Sequence, residues 1–389
     1  MTRTRTGWHF LQLPGPSNVP DRVLRAMGRA TIDHRGPEFP PFTREIFDGL
    51  QAVFSTGEPV MIFPASGTGG WEAAVVNTLS PGDRVLMFET GMFAVNWIDV
   101  ARRFGLDVDV VPTDWRRGAD PEIVHQRLTA DNAHSYRAVA VVHNETSTGA
   151  ATRIADVRRA MNAAAHPALL MVDAVSSVAS MEYHHDDWQV DVTIGASQKG
   201  LMLPPGLAFI VASRRARDAA QRATLPRAYW DWERMIARNA EGFFPYTPAT
   251  NLLYGLREAL AMLVEEGLDN VIRRHARYGR ATRAAVRTWG LDTQCARADE
   301  HGDVLTAVVL PDGHDADGFR KLVFERFNMS LGTGLGRLEG RVFRIGHVGD
   351  FNDLMLAGTL AGVESGLALA GVPVKRGGVE AAMLVLENE

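Results

Sequence analysis

Three features of the chain can do chemistry together. Lys199 lies in Ile194-Gly195-Ala196-Ser197-Gln198-Lys199-Gly200, just beyond an apolar run. Twenty-six residues earlier Asp173 closes a second apolar run, Ala168-Leu169-Leu170-Met171-Val172. The third feature is Ser66-Gly67-Thr68-Gly69-Gly70, set between a strand-like run and an amphipathic stretch. A lysine amine can form a Schiff base with an aldehyde, an acid can pair a protonated ring nitrogen, and a glycine-rich turn at a helix start can take a phosphate. Held together, they are the minimum set for binding pyridoxal 5'-phosphate.

Those residues need elements that deliver them to one place. From about residue 58 to 213 short apolar runs alternate with helical patterns: 60–63, 84–88, 108–111, 138–142, 169–172, 190–194 and 207–211. The runs are apolar throughout rather than alternating, which marks strands covered on both faces and hence a largely parallel α/β sheet. The last two runs are separated only by a glycine- and proline-bearing stretch from Gly195 to Gly206, so they are expected to pair antiparallel and make the sheet mixed. In open α/β sheets ligands sit outside the carboxyl ends of the strands. Five of these ends carry polar or aromatic groups: Ser66 to Thr68, Thr90 to Phe93, His143 to Thr148, Asp173, and Gln198 with Lys199. Residues 251–290 read as helices. A second unit, beginning near 290, reads as strand 304–310, helix 315–327, strand 341–345 and helix 353–370.

Each residue also has a plainer reading. The glycine loop lacks the third glycine of a dinucleotide fingerprint, because Glu72 stands there, and no Gly-Lys-Ser/Thr follows it, so alone it is also an ordinary turn. Asp173 is either a turn or helix cap or the partner of a cation, since a carboxylate at the end of an apolar strand is costly to bury alone. Lys199 is an exposed turn lysine unless the small residues before it leave room for a bulky neighbour. Phe93 is a ring stacked on a ligand or a core residue. Arg344 interrupts the apolar run Val342-Phe343-Arg344-Ile345-Gly346 and calls for a carboxylate, from the protein or from a ligand. His143 is expected to be hydrogen-bonded structure.

Bulk properties set limits. The chain has 389 residues, 46% hydrophobic and 22% charged, enough for two domains around large cores. A net charge of -5 supplies no basic field for nucleic acid. A single cysteine, Cys295, allows no intrachain disulfide and no cysteine metal cluster. No apolar stretch approaches the ~18 residues of a membrane span and no signal-peptide core is seen, so a cytoplasmic protein is expected.

The motifs, in order, resemble those of the class V, fold-type I aminotransferases, within them the alanine–glyoxylate and serine–glyoxylate group. They are Leu13-Pro14-Gly15-Pro16-Ser17-Asn18, Asp33-His34-Arg35, Ser66-Gly67-Thr68-Gly69, His143-Asn144-Glu145-Thr146, Val172-Asp173-Ala174-Val175-Ser176-Ser177, Gly195 to Gly200, Phe244-Pro245-Tyr246-Thr247-Pro248 and Phe343-Arg344-Ile345-Gly346-His347. The resemblance implies a large domain with a mostly parallel seven-stranded sheet and a smaller C-terminal α/β domain, divided as an arm 1–20, a cofactor-binding domain 21–285 and a small domain 286–389. It implies that Lys199 carries pyridoxal phosphate, that Asp173 pairs the ring nitrogen, and that Val175 and Phe93 pack on the two ring faces. Ser66, Gly67, Thr68 and Gln198 then hold the phosphate, and Thr146 lies near the phenolic oxygen. Arg344, helped by Asn18, clamps the substrate carboxylate. Thr247 reaches a neighbouring subunit's phosphate site, which implies a homodimer with shared active sites, or a tetramer of such dimers. The substrates implied are an amino acid and a 2-oxo acid: L-serine with glyoxylate, or L-alanine or L-aspartate with glyoxylate or pyruvate. Two positions depart from the pattern. Phe244 stands where some relatives carry a phosphate-touching tyrosine, leaving Tyr246 as a substitute. Ser147 stands where near relatives carry alanine. The fold also hosts cysteine desulfurase-like lyases, for which Cys295 is the only thiol, and a non-catalytic binder is the third alternative.

Overall fold

The computed structural model describes residues 7–388. Its strands are, in chain order, β1 (Phe10–Gln12), β2 (Val60–Ala65), β3 (Arg84–Glu89), β4 (Asp107–Pro112), β5 (Tyr136–Val142), the short β6 (Asn144–Glu145) and β7 (Ala150–Ala151), β8 (Leu169–Asp173), β9 (Val192–Ala196), β10 (Gly206–Ala212), β11 (Asp292–Thr293), β12 (Leu305–Val309), β13 (Met329–Thr333) and β14 (Val342–Gly346). The larger sheet has seven strands in the order β2-β10-β9-β8-β5-β3-β4. Strands β9, β8, β5, β3 and β4 run parallel, while β10 is antiparallel to both β9 and β2. This is the mixed sheet expected from the missing helical crossover between β9 and β10. Its inner strands are buried along their length, as β8 and β9 are at every residue.

The Gly67–Thr78 helix lies directly on this sheet. A Cβ on Gly70 would stand 2.6 Å from Cγ2 of Ile194 on β9, so glycine sets how closely helix and strand approach. The spacing of apolar residues predicts this helix from about Trp71, and the next from about Trp97. Both begin earlier, at Gly67 and Met92. Three glycines and a threonine precede Trp71 and are weak helix formers, but packing against the sheet outweighs propensity here.

The C-terminal sheet has the order β1-β13-β14-β12-β11. Strands β1 and β13 escape the sequence reading. β1 has three residues, and it pairs parallel with β13 across the length of the chain, Phe10 opposite Met329. The first strand of the chain is therefore built into the last sheet. One apolar cluster runs from Val23 to Val271 and includes the seven-stranded sheet; a second runs from Tyr278 to Leu386. The Leu268–Trp289 helix contributes to both, with Val271 in the first and Tyr278 onward in the second. Among the described residues no helix is long and apolar enough to cross a membrane.

Candidate active site

A cavity of about 270 Å³ opens at the carboxyl ends of β2, β5, β8 and β9, between the two sheets. Ser66, Gly67, Thr68, Trp71, Phe93, Asn144, Thr146, Asp173, Val175, Gln198, Lys199 and Arg344 line it, with Gly15, Pro16, Val142 and Pro205. Ten of the twelve residues expected at the site are thus brought together. The other two, Asn18 and Thr247, are not on this cavity: the Asn18 amide donates to the Leu11 carbonyl at 3.3 Å, and Thr247 is exposed on the surface.

Lys199 is 6% exposed, and its Nζ donates to Thr146 Oγ1 at 2.7 Å. Burial pushes this amine far below the ordinary lysine range; the Asp173 carboxylate opposes the shift and the Arg344 guanidinium adds to it. The peptide around it is fixed by the N-terminal segment. Ser17 N donates to the Gln198 carbonyl and Ser17 Oγ to the Lys199 carbonyl, both at 3.0 Å. At Gly15, φ is +117° and a Cβ would stand 2.8 Å from Lys199 Cε, so this close pass of the backbone over the lysine requires glycine.

Asp173 ends β8, where Oδ1 accepts from Val175 N at 2.8 Å and Oδ2 from Trp71 Nε1 at 2.9 Å. Burial raises its carboxyl above the usual range, with the two hydrogen bonds and the Lys199 charge working against that rise. The Ser66 end of the cavity is the start of the Gly67–Thr78 helix. Gly70 N donates to the Ser66 carbonyl, whereas the amides of Gly67, Thr68 and Gly69 have no acceptor among the described residues. Such a helix start favours an anion. Gln198 Oε1 is buried without a partner on the same cavity. Val175 packs on the loop, its Cγ2 2.6 Å from where a Cβ of Gly67 would be. Across the cavity the Phe93 ring centroid lies 5.5 Å from Lys199 Nζ.

Arg344 sits on β14 with Nε donating to the Thr333 carbonyl and Nη1 to the Thr146 carbonyl, both at 2.7 Å. It is 7% exposed, and no carboxylate of the described residues lies within ion-pair distance. Burial lowers it to about 10. The Glu145 carboxylate, beyond ion-pair distance, opposes that shift, and a guanidinium buried with no carboxylate in contact is costly unless a ligand supplies one. The cavity therefore presents an amine, a carboxylate, an anion cradle and an unpaired guanidinium, a set that fits pyridoxal phosphate and the carboxylate of an amino acid. Among the described residues no cluster of three or more His, Cys, Asp or Glu is placed to hold a metal.

Neighbouring residues have structural tasks. His143 meets Ser177 Oγ at 2.9 Å, and full burial brings it down to about 4. Phe244 packs in the core against Phe39 and Phe47, with ring centroids 6.2 and 6.1 Å away. Tyr246 stacks on Tyr229 at 4.4 Å. Cys295 is buried away from the cavity and is pushed up to about 11 by that burial, so it has no thiolate character at neutral pH.

Ser147 does not face the cavity. Its hydroxyl donates to Glu145 Oε1 at 2.7 Å and accepts from Met92 N at 2.9 Å. Glu145 in turn accepts from the amides of Phe93 at 3.3 Å and Ala94 at 3.1 Å. The pair therefore clasps the start of the Met92–Arg103 helix and sets where Phe93 points. Substitution S147A is expected to lower stability by about 1–2 kcal/mol, the worth of the bonds it removes, with the ratio of turnover on different amino donors unchanged. Thermal unfolding and donor kinetics measured side by side check this; an altered donor ratio contradicts it.

The Trp71 contact is absent from the sequence reading, as are the cavity positions of Gly15, Pro16 and Pro205. Trp71 is four residues beyond Gly67, which places it on the same face of a helix as the loop, and that spacing was the available signal.

The family model for class V aminotransferases matches residues 9–334. The serine–glyoxylate aminotransferase of Methylorubrum extorquens is 51% identical over 99% of this chain and 97% of its own length. The L-aspartate–glyoxylate aminotransferase of Paracoccus denitrificans is 44% identical over 95% of this chain and 94% of its own. Among solved structures, pyridoxamine–pyruvate aminotransferase from Mesorhizobium loti matches with a TM-score of 0.91 at 28% identity over 97% of each chain.

Proposed function

The chain belongs to the class V aminotransferases, and from that premise we propose that it moves the amino group of L-serine to glyoxylate, giving hydroxypyruvate and glycine, with pyridoxal phosphate in the cavity described above. The observation that carries this reading is the convergence of Lys199, Asp173, the helix start at Gly67 and the unpaired Arg344 on one cavity. When bound, pyridoxal phosphate supplies an aldehyde carbon that takes the amino group and a ring that draws electrons from the donor's α-carbon.

The chain's own residues do the rest. The free amides of Gly67, Thr68 and Gly69, with Ser66, Thr68 and Gln198 side chains, bind the phosphate. Asp173 holds a proton at the ring nitrogen. Phe93 and Val175, which line the cavity, would pack against the ring, and Thr146 would sit on its phenolic side. Arg344 receives the donor's α-carboxylate through charge-assisted hydrogen bonds and so orients its Cα–H bond towards Lys199. Lys199 Nζ, buried and easily deprotonated, would take that proton from the α-carbon and give it to the aldehyde-derived carbon of the cofactor. Thr247, exposed in the single chain, would complete the phosphate site of a second copy, which makes the working unit a homodimer; an enzyme that stays active as a monomer in sedimentation excludes this. A cytoplasmic setting suits a chain whose only cysteine is buried and unpaired.

The aspartate-using relative favours a second reading with the same chemistry and L-aspartate as donor. Steady-state kinetics with L-serine, L-alanine and L-aspartate, each against glyoxylate, separates them. Serine is expected to give a kcat/KM at least about tenfold above the others, the size of a difference that one or two pocket contacts supply. A lead for aspartate or alanine reassigns the donor; no turnover with any of the three removes the reading.

A further inference from the structure

We propose that Trp71 is a positioning residue for Asp173: its indole N–H orients the carboxylate and holds it as an anion, so that the protonated state of the bound cofactor's ring nitrogen depends on Trp71. This deepens the function proposed above and rests on the assignment of Asp173 to the ring nitrogen.

Asp173 is 4% exposed and sits where an anion is unfavourable. A carboxyl that kept its own proton could not hold one on a ring nitrogen. Two donors oppose that outcome, one on each oxygen. Val175 N is a backbone group that any residue at that position offers. The other, Trp71 Nε1 at 2.9 Å from Oδ2, comes from a side chain, and an indole can only donate. The remaining ionisable groups facing Asp173 are Lys199, which favours the anion, Glu145, which opposes it, and the phenol of Tyr183. The Lys199 charge falls away as that amine gives up its proton, whereas the indole bond remains.

The geometry gives Trp71 a second consequence. Trp71 and the amides at Gly67 and Thr68 belong to one helix, one turn apart. A single rigid element thus contacts the phosphate end of the cavity and the carboxylate at its other end. The indole is held by Trp97, whose ring stacks on it at 6.0 Å and 13°. Trp71 also lines the cavity itself.

The test uses full-length enzyme loaded with pyridoxal phosphate carrying ¹⁵N in the ring, with the ring-nitrogen shift followed by NMR from pH 6 to 9. In wild type the nitrogen is expected to stay protonated throughout. In W71F its proton should be lost about one pH unit or more earlier, and the cofactor dissociation constant should rise about tenfold, the worth of one hydrogen bond to a charged group. D173N should lose the proton across the range. W97F, which removes the stack and keeps the indole N–H, should follow wild type. A purely packing role for Trp71 predicts that W97F, which disturbs the same stack, changes the titration as much as W71F does. If W71F tracks wild type while D173N loses the proton, the inference about Trp71 fails and the role of Asp173 stands. If D173N also tracks wild type, the role of Asp173 fails and the inference falls with it. Should W71F not fold, the eight indole N–H resonances decide: one must move between wild type and D173N, and none moving overturns the inference.

Discussion

Replacing Lys199 by alanine is expected to lower kcat for amino transfer by about four orders of magnitude, because one amine is proposed to do two jobs that no neighbour can take over. The groups nearest the amine do not replace it: Glu145 is engaged by Ser147 and the Phe93 and Ala94 amides. Thr146 accepts a hydrogen bond from Nζ but is no base at neutral pH, and Asp173 is engaged by Trp71 and Val175. Burial brings the amine down to about 7, so near neutrality a large fraction carries no proton. The sign follows from that direction: the neutral form, which attacks an aldehyde or accepts a proton, is depleted as pH falls below about 7 and is nearly full above it. Uptake of pyridoxal phosphate by the apoprotein should therefore quicken about tenfold per pH unit up to about 7 and then level off. Lys199→Arg should fail as completely as Lys199→Ala, since a guanidinium stays charged. Stopped-flow absorbance of cofactor-loaded variants after one addition of serine reads the chemical step directly. A K199A enzyme within tenfold of wild type would falsify the assignment.

The parts of this site that were legible in the sequence are those governed by a rule of position. Lys199, Asp173 and the glycine loop each follow an apolar run, and an open α/β sheet collects whatever follows such runs at one edge. Arg344 was legible for a different reason, as a charge inside an apolar strand. What was not legible depends on contacts between distant segments. β1 has no periodicity of its own and exists because β13 offers it an edge more than three hundred residues later. Gly15 and Pro16 reach the cavity only because Ser17 is bonded to the Gln198–Lys199 peptide. Ser147 stood out as a departure in a run of site residues. Its hydroxyl faces Glu145 and the Met92 amide instead, a direction set by how β6 meets the Met92–Arg103 helix. The helix start at Gly67 was misplaced because apolar spacing does not register that Gly70, lacking a Cβ, is what the sheet beneath requires.

Arg344→Ala tests the other half of the proposal, and the loss expected is about 10²- to 10³-fold in kcat/KM, borne mainly by KM. Arg344 spends Nε and one Nη1 hydrogen on two backbone carbonyls, and among the described residues Nη2 has no partner. The two carbonyls hold the guanidinium plane still, and the unspent donors are what a carboxylate needs for two parallel hydrogen bonds. In the proposed reaction amino donor and oxo acceptor would both bring a carboxylate to this position, so KM should rise for both by a similar factor. Cofactor affinity should change by no more than about two- to threefold, because Arg344 is assigned to the substrate rather than the ring. Arg344→Lys keeps the charge and loses the fork, and should recover only a small part of the loss. A purely structural arginine predicts something else. It joins the Thr333 carbonyl on β13 to the Thr146 carbonyl beyond β6, so its removal would then lower thermal stability and cofactor retention while leaving the KM values in place. Measuring KM for serine and glyoxylate alongside melting temperature distinguishes the two, and unchanged KM values in a folded R344A enzyme would return this residue to the scaffold.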